Sequence, residues 1–590
     1  MRQFLKFFLA SLLALIIFTV VGFFILAGAV GSLTAKKDVQ VGEKAVLFID
    51  LSKPIREQKQ ENPIADLSSE EQYDSPGLYD MIRLIKYAET DSSVKGIYLK
   101  CNDNPNGFAT SEELRNALVD FKKTKKFVYA YGDMMSQKAY YIGNVADRVY
   151  CNPKGSLEWK GFAIQYMFFK NALDKLEIDP QIFYAGKFKS ATEPFRAEKM
   201  TDANRLQSQE LLNDLYQRFL VNTATQRNVD TASLHKLAND LAIQSTNDAV
   251  KYKLVDAGKY DDEVKAELKE KLGVKQENKI NFVPIGKYEA AVNFKDGKGS
   301  DRIALIYAQG DIVDGKGGEG QIGGEKFRSY LRKVRYDNTV KAVVFRINSG
   351  GGSALASENI WREISLVRKV KPVILSFGDY AASGGYYLSC DADSIFAEPN
   401  TITGSIGVFS MMPNLSGFFK DKLGVTFDGV KTAEHAAVPS ISQPLSDVER
   451  RFIQNDVDSI YFTFLTRVSD GRGLSFAYTD SIAQGRVWTG SKGKELGLVD
   501  RLGNIQDAVD CAARMAKLKE YRVKEYPEPV SFLDKVLSGF QKVTKTNTIK
   551  EDMIKEEVGE DGYRAYNGLK AIKAMMGVVQ AKLPFEMIVE

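Results

Sequence analysis

Val340-Lys341-Ala342-Val343-Val344-Phe345-Arg346-Ile347-Asn348-Ser349-Gly350-Gly351-Gly352-Ser353 is an apolar, β-branched run that stops abruptly in a glycine loop. Its apolar part, 342–347, has the length of a strand and is bounded by charge on one side and glycine on the other, as a strand buried on both faces requires. A helical pattern follows at 357–370. Working outward, 303–307, 373–377 and 394–397 read as further strands, and 327–334 as another helix. Strand, helix, strand order with fully apolar strands predicts an α/β fold with a parallel sheet and helices packed on its faces. In such sheets ligands meet the loops at the carboxyl ends of the strands.

The same pattern occurs earlier in the chain. At an offset of 246 residues, Val94-Lys95-Gly96-Ile97 aligns with Val340-Lys341-Ala342-Val343, and Tyr131-Gly132-Asp133 with Phe377-Gly378-Asp379. Asp147-Arg148-Val149-Tyr150 falls on Asp393-Ser394-Ile395-Phe396 without a gap. The period is far too long for a solenoid. The chain therefore reads as two copies of one domain, 40–285 and 302–525, joined by a Gly- and Lys-rich linker at 286–301 and followed by a tail, 526–590, with apolar residues at helical spacing.

The 590 residues leave room for at least two sizeable cores, and 44% hydrophobic with 26% charged residues is ordinary for a globular protein. A net charge of +4 spread over this length gives no nucleic-acid footprint. Residues 7–35 carry no charge, whereas a spanning helix needs about 20 residues. We read them as a transmembrane anchor that follows a cytoplasmic amino terminus, 1–6, and leaves the body of the chain outside the cytoplasm. The alternative is a cleaved signal peptide ending at Ala27-Gly28-Ala29, although its apolar stretch would be unusually long. Four cysteines, Cys101, Cys151, Cys390 and Cys511, have no CxxC spacing and read as buried thiols, with a disulfide left open.

Two loops in the second copy can carry chemistry. One is the glycine run 350–352. The other, Ala381-Ala382-Ser383-Gly384-Gly385-Tyr386, leaves a serine hydroxyl between a strand and a helix with backbone N–H groups at hand. No Gly-Lys-Ser/Thr and no G-x-G-x-x-G follows, so neither a Walker nor a dinucleotide loop is present. A nucleophilic serine needs a base. The chain has only two histidines, His235 and His435, and only His435 lies in this copy, in a stretch without other catalytic hallmarks. A lysine can substitute if its amine is desolvated, but composition alone does not choose among the lysines.

These motifs, together with Thr403-Gly404-Ser405-Ile406-Gly407, Gly485-Arg486-Val487-Trp488-Thr489-Gly490 and, in the first copy, Lys187-Phe188-Lys189-Ser190-Ala191-Thr192-Glu193-Pro194-Phe195, resemble the long, two-repeat form of the signal peptide peptidase A (protease IV) family. The resemblance implies tandem ClpP/crotonase-like domains and a serine endopeptidase of the bacterial inner membrane with a Ser/Lys dyad. Its catalytic body would lie on the periplasmic side, and it would degrade remnant signal peptides and other apolar peptides. Carried over by position, Ser383 is the nucleophile, Lys189 the general base and Ser405 the residue that aims the lysine. The N–H groups of Gly351, Gly352 and Gly384 are the oxyanion-hole donors. The family usually has proline where this chain has Gly350. The resemblance further implies no metal or organic cofactor, peptide partners, a homo-oligomer of tetramer type and no nucleic acid. The rival readings are a crotonase-like acyl-CoA enzyme and a catalytically silent membrane scaffold.

The duplication independently divides the site. The position equivalent to Ser383 in the first copy is Gln137, and the glycine loop is reduced there to Asn104-Pro105-Asn106-Gly107. In the second copy the region corresponding to Lys189 reads Val430-Lys431-Thr432-Ala433, without the motif. Each copy has kept one half of a catalytic pair, so the centre must form where two different copies meet, within one chain or between neighbours.

Overall fold

The computed structural model describes residues 3–4, 6–8, 10–19, 21, 39–59, 76–295, 297–528 and 579–583. The two copies appear as two sheets built to one plan. In the first, Ala257–Gly258, Arg148–Leu157, Phe127–Met135, Val94–Lys100, Ala45–Asp50 and Phe282–Pro284 lie side by side in that order, all parallel. In the second, Ile402–Gly404, Val373–Ala382, Val340–Ser349, Arg302–Gln309 and Arg522–Tyr526 are parallel, and Val487–Thr489 closes the edge antiparallel. Ser394–Ala397 branches off Val373–Ala382. The offset of 246 holds through the elements themselves: helix Leu78–Thr90 answers to Gly324–Tyr336, strand Val94–Lys100 to Val340–Ser349, and helix Phe108–Lys122 to Ala354–Arg368.

Both sheets are covered on both faces, as their unbroken apolar strands demand. Ala342 to Ile347 is buried throughout. One face of the second sheet packs Val343, Phe345 and Ile347 against Ile360 and Ile364 of helix Ala354–Arg368. The other face packs Ile303, Leu305 and Val344 against helix Ile505–Met515 and against Leu78, Tyr79 and Ile82, which belong to the first copy. The two repeats thus share a core.

A third, smaller sheet joins the repeats and positions the site. Strand Asp179–Ala185 of the first copy pairs antiparallel with Val408–Asn414 of the second over seven residues, from Ala185 opposite Val408 to Asp179 opposite Asn414. The sheet continues through Gln580–Lys582, Gly351–Ser353, Ile312–Val313 and Ile322–Gly323. The glycine-rich segment 314–324 therefore ends in a strand, Ile322–Gly323.

Two expectations change. The linker 286–301 begins inside helix Ile285–Ala291, because Tyr288 is buried and donates from its hydroxyl to Asp91 Oδ2 at 2.7 Å. Arg522–Tyr526, at the border of the second copy and the tail, completes the second sheet, and in the tail read as helical 580–582 is a strand, since it finds two sheet edges to bond. Residues 529–578 and 584–590 of that tail lie outside the described residues.

Of the expected anchor, 7–35, residues 7, 8, 10–19 and 21 are described and helical, with Phe7, Leu13 and Phe18 exposed; the rest lie outside the described residues, as do residues 1, 2 and 5. Among the described residues no helix is long and apolar enough to cross a membrane. All four cysteines are buried and unpaired.

Candidate active site

Strand Val373–Ala382 runs directly into Ser383, at the carboxyl end of a central parallel strand. There the backbone turns sharply, with φ +54° and ψ −115° at Ser383, a conformation that costs a non-glycine residue on the order of 1–3 kcal/mol. Two hydrogen bonds hold it. Ser383 N–H donates to the Gly404 carbonyl at 2.8 Å, and the Ser383 carbonyl accepts from Tyr387 N–H at 2.7 Å.

Lys189 arrives from the other repeat. It follows strand Asp179–Ala185, so the seven-residue pairing with Val408–Asn414 delivers it to the second sheet. Its Nζ lies 2.8 Å from Ser383 Oγ, 3.1 Å from Ser405 Oγ and 3.3 Å from the Ser405 carbonyl oxygen. Both candidate halves of the pair belong to one chain. Lys189 is only 1% exposed, and burial alone drives its pKa well below the ordinary lysine value. A neutral amine offers a lone pair, and its N–H groups can donate to both oxygens of Ser405. Ser405 is itself held in an unusual conformation, φ +51°, with its N–H bonded to the Arg486 carbonyl at 2.7 Å.

The lysine loop is fixed by side chains that the motifs did not single out. Gln207, on helix Asp202–Arg227, donates from its amide nitrogen to the Phe188 carbonyl at 3.0 Å and to Ser190 Oγ at 2.9 Å. Phe188 N–H donates to the Gln484 carbonyl at 2.7 Å. Gly485, at φ +76°, passes so close that an added Cβ would stand 2.7 Å from Lys189 Cα. The first part of the Gly485–Gly490 motif therefore supports both Lys189 and Ser405.

Of the three glycines expected to bind an oxyanion, Gly351 differs from the other two. Its N–H donates to Ser349 Oγ at 3.1 Å, which occupies it, whereas a Cβ added at Gly384 would stand 3.2 Å from Gly352 N across the loop. Gly351 and Gly352 adopt φ of +103° and +155°, so the first of them needs glycine for its backbone conformation. His435 pairs its Nδ1 with Glu449 at 2.9 Å beside the helix Asp447–Arg472. Gln137, the first-copy equivalent of Ser383, uses its side chain structurally: its carbonyl oxygen accepts from the N–H of Lys160 and Gly161 at 2.9 and 3.0 Å. Asp379 bonds Thr110 N–H at 2.9 Å and Thr110 Oγ1 at 2.7 Å, capping a first-copy helix from the second copy.

A buried lysine amine against a strained serine at a strand end, with two backbone N–H groups beside it, is the furniture of a serine peptidase. The family model for "Peptidase family S49" matches the chain twice, over residues 120–275 and 365–519, one match in each repeat, and the chain belongs to that family. Among curated relatives, Protease 4 of Salmonella typhi is 35% identical over 80% of this chain and 77% of its own. Protease 4 of Haemophilus influenzae is 32% identical over 93% of this chain and 94% of its own. The chloroplastic serine protease SPPA of Arabidopsis thaliana is 32% identical over 77% of this chain and 68% of its own. The chain is a serine peptidase of the two-repeat form.

Proposed function

We propose that this chain is a membrane-anchored serine endopeptidase in which Ser383 attacks the scissile carbonyl and Lys189 is the general base. The observation that carries this reading is a lysine amine buried against a serine hydroxyl at 2.8 Å, with desolvation pushing its pKa well below the ordinary lysine value. Such an amine is uncharged at a pH where an exposed lysine is an ammonium, so it can take the serine proton. The N–H groups of Gly352 and Gly384 stabilise the tetrahedral oxyanion. Ser405 holds the amine so that its lone pair points at Ser383. Lys189 then returns the proton to the leaving amine, and water hydrolyses the acyl-enzyme.

The substrates in this reading are remnant signal peptides and other apolar peptides at the membrane. The uncharged run 7–35 supports an anchor in the bacterial inner membrane with the body on the periplasmic side. The working form is a homo-oligomer, a tetramer, whose sites face a shared cavity closed to folded proteins.

A fluorophosphonate reagent tests the reading. It is expected to label Ser383 in the wild type and to fail on Ser383→Ala and Lys189→Ala. Full peptidase activity in Lys189→Ala would discard the dyad, and an unlabelled, inactive wild type would discard the peptidase mechanism. Membrane association should vanish when 1–35 is removed; retention would discard the anchor.

A further inference from the structure

Two of the sequence motifs contain groups that the proposed reaction does not use. Glu193, the carboxylate of the lysine motif, is buried and accepts from Thr201 Oγ1 at 2.5 Å, from Thr201 N–H at 3.2 Å and from Asn204 Nδ2 at 2.9 Å. Asn204 Oδ1 in turn accepts from Gln207 Nε2 at 3.2 Å. The same Gln207 nitrogen donates to the Phe188 carbonyl and to Ser190 Oγ, so it grips the residues on either side of Lys189. At its other end, Gln207 Oε1 accepts from Val487 N–H, in the Gly485–Gly490 motif, at 3.3 Å. Glu193, Asn204 and Gln207 are each only 2% exposed, so water does not compete for these bonds.

The chain of bonds has a direction. An ionised carboxylate only accepts, so Glu193 obliges Asn204 to present its NH2 group. The Asn204 oxygen then faces Gln207, which answers with its own NH2 group. That choice points the Gln207 nitrogen at the lysine loop and leaves its oxygen for Val487. Flipping either amide would set buried donor against donor or acceptor against acceptor, which is costly away from water. One buried charge thus sets the sense of two amides. The far end of the chain lies in the second repeat, where Val487 sits opposite Gly404 in an antiparallel pair. The Gly404 carbonyl accepts from Ser383 N–H at 2.8 Å, and the carbonyl of Arg486, next to Val487, accepts from Ser405 N–H at 2.7 Å. Gln207 therefore ties the neighbours of the amine to the strand edge that holds both serines.

We infer that Gln207 is a positioning residue for the base and that Asn204 and Glu193 act through it, the three together setting the spacing between Lys189 and Ser383 across the junction of the repeats. The inference rests on the Ser/Lys reading above. Lys189 Nζ itself bonds Ser383 and Ser405, and the relay holds the backbone on which that amine is carried. Its loss lets the amine drift from the hydroxyl, which slows proton transfer and leaves peptide binding in place. Since the outer two residues work through Gln207, removing them costs nothing more once Gln207 is gone.

The test is hydrolysis of an apolar peptide reporter by the full-length chain as wild type, Gln207→Met, Glu193→Gln and the double variant. Active sites are counted by complete fluorophosphonate labelling, so that unfolded protein does not enter kcat. Gln207→Met keeps the shape without the bonds and is expected to lower kcat about 10²-fold, with KM within about twofold of the wild type. Glu193→Gln keeps its neighbours but no longer dictates the sense of the amides, and it should lower kcat about tenfold. The double variant should match Gln207→Met. Should Gln207→Met fail to fold, Asn204→Ala breaks the chain at its middle: it should lower kcat about tenfold, with no further loss when combined with Glu193→Gln. A labelled, active wild type whose kcat survives Gln207→Met overturns the inference and leaves the peptidase reading standing. Losses that multiply in either double variant, or that fall on KM instead of kcat, overturn it too. A wild type that is neither labelled nor active removes the peptidase reading itself, and this inference with it.

Discussion

Arg346 of the second repeat and Glu113 of the first are both fully buried and meet at 2.6 Å. The same guanidinium holds Glu57 at 2.8 Å and bonds Ser376 Oγ at 3.0 Å and the Phe377 carbonyl at 2.9 Å. Glu113 in turn accepts from Ile505 N–H at 3.2 Å. Burial raises the Glu113 pKa in spite of Arg346 beside it. A pair of this kind is retained because removing one partner strands the other.

Arg346→Ala is accordingly expected to cost about 3–5 kcal/mol, the usual penalty for uncompensated buried charge. Glu113→Gln, which still accepts from the guanidinium, should cost less. Urea unfolding followed by tryptophan fluorescence measures both. Equal loss in the two variants would show that the charge of Glu113, and not the hydrogen bond it accepts, is what the cluster needs.

Removing the amine at Lys189 should lower kcat by about 10²–10⁴, the range for loss of a general base. Lys189→Arg should be equally poor, because a guanidinium keeps its proton. Stopped assays with a peptide reporter check this, and an active Lys189→Arg would mean that the side chain acts by charge.

The buried amine sets a pH dependence whose sign follows from its depressed pKa. Activity should rise with pH through the folded-state pKa, as the ammonium becomes the free amine. Between that pKa and the ordinary lysine value the unfolded chain binds a proton that the folded chain does not, so stability also rises with pH across that window. Lys189→Met removes the effect. Its melting temperature should exceed that of the wild type, with the gap widening as pH falls through the window. A gap independent of pH would contradict the depressed pKa.

Gly485→Ala tests the support behind the lysine. The added Cβ would stand 2.7 Å from Lys189 Cα, Cβ and N, and the backbone there has φ +76°. The lysine loop must shift, so kcat is expected to fall at least tenfold with KM little changed, because a misplaced amine damages the chemical step more than peptide binding. An unchanged kcat, read in the same reporter assay, would show that the loop has slack.

The repeat and its strands were legible because each leaves a local signature, apolar runs of strand length and a fixed offset; a serine set among glycines marked Ser383 as a candidate, whereas Lys189 came only from the resemblance of its motif, because composition does not choose among the lysines. What stayed hidden depends on pairings between distant stretches. Asp179–Ala185 reads as an ordinary strand, and nothing in it names Val408–Asn414 as its partner. Arg346 looks like a charge interrupting a strand until Glu57 and Glu113 arrive from the other repeat. The glycine at 351 has the right composition for an oxyanion donor, but Ser349, two residues before it, takes its N–H. The tail at 580–582 becomes a strand because two free sheet edges flank it, one at Gly351–Ser353 and one at Phe409.

The seam between Asp179–Ala185 and Val408–Asn414 also sets the order in which the molecule acquires its chemistry. A chain threaded amino end first presents the amine of residue 189 long before the hydroxyl of residue 383, and the strand that docks them follows later still, at 408–414. On the proposed Ser383–Lys189 pairing, a nascent or prematurely ended chain is therefore inert towards its surroundings, and hydrolytic power waits until the greater part of the polypeptide has emerged and the halves have closed on one another.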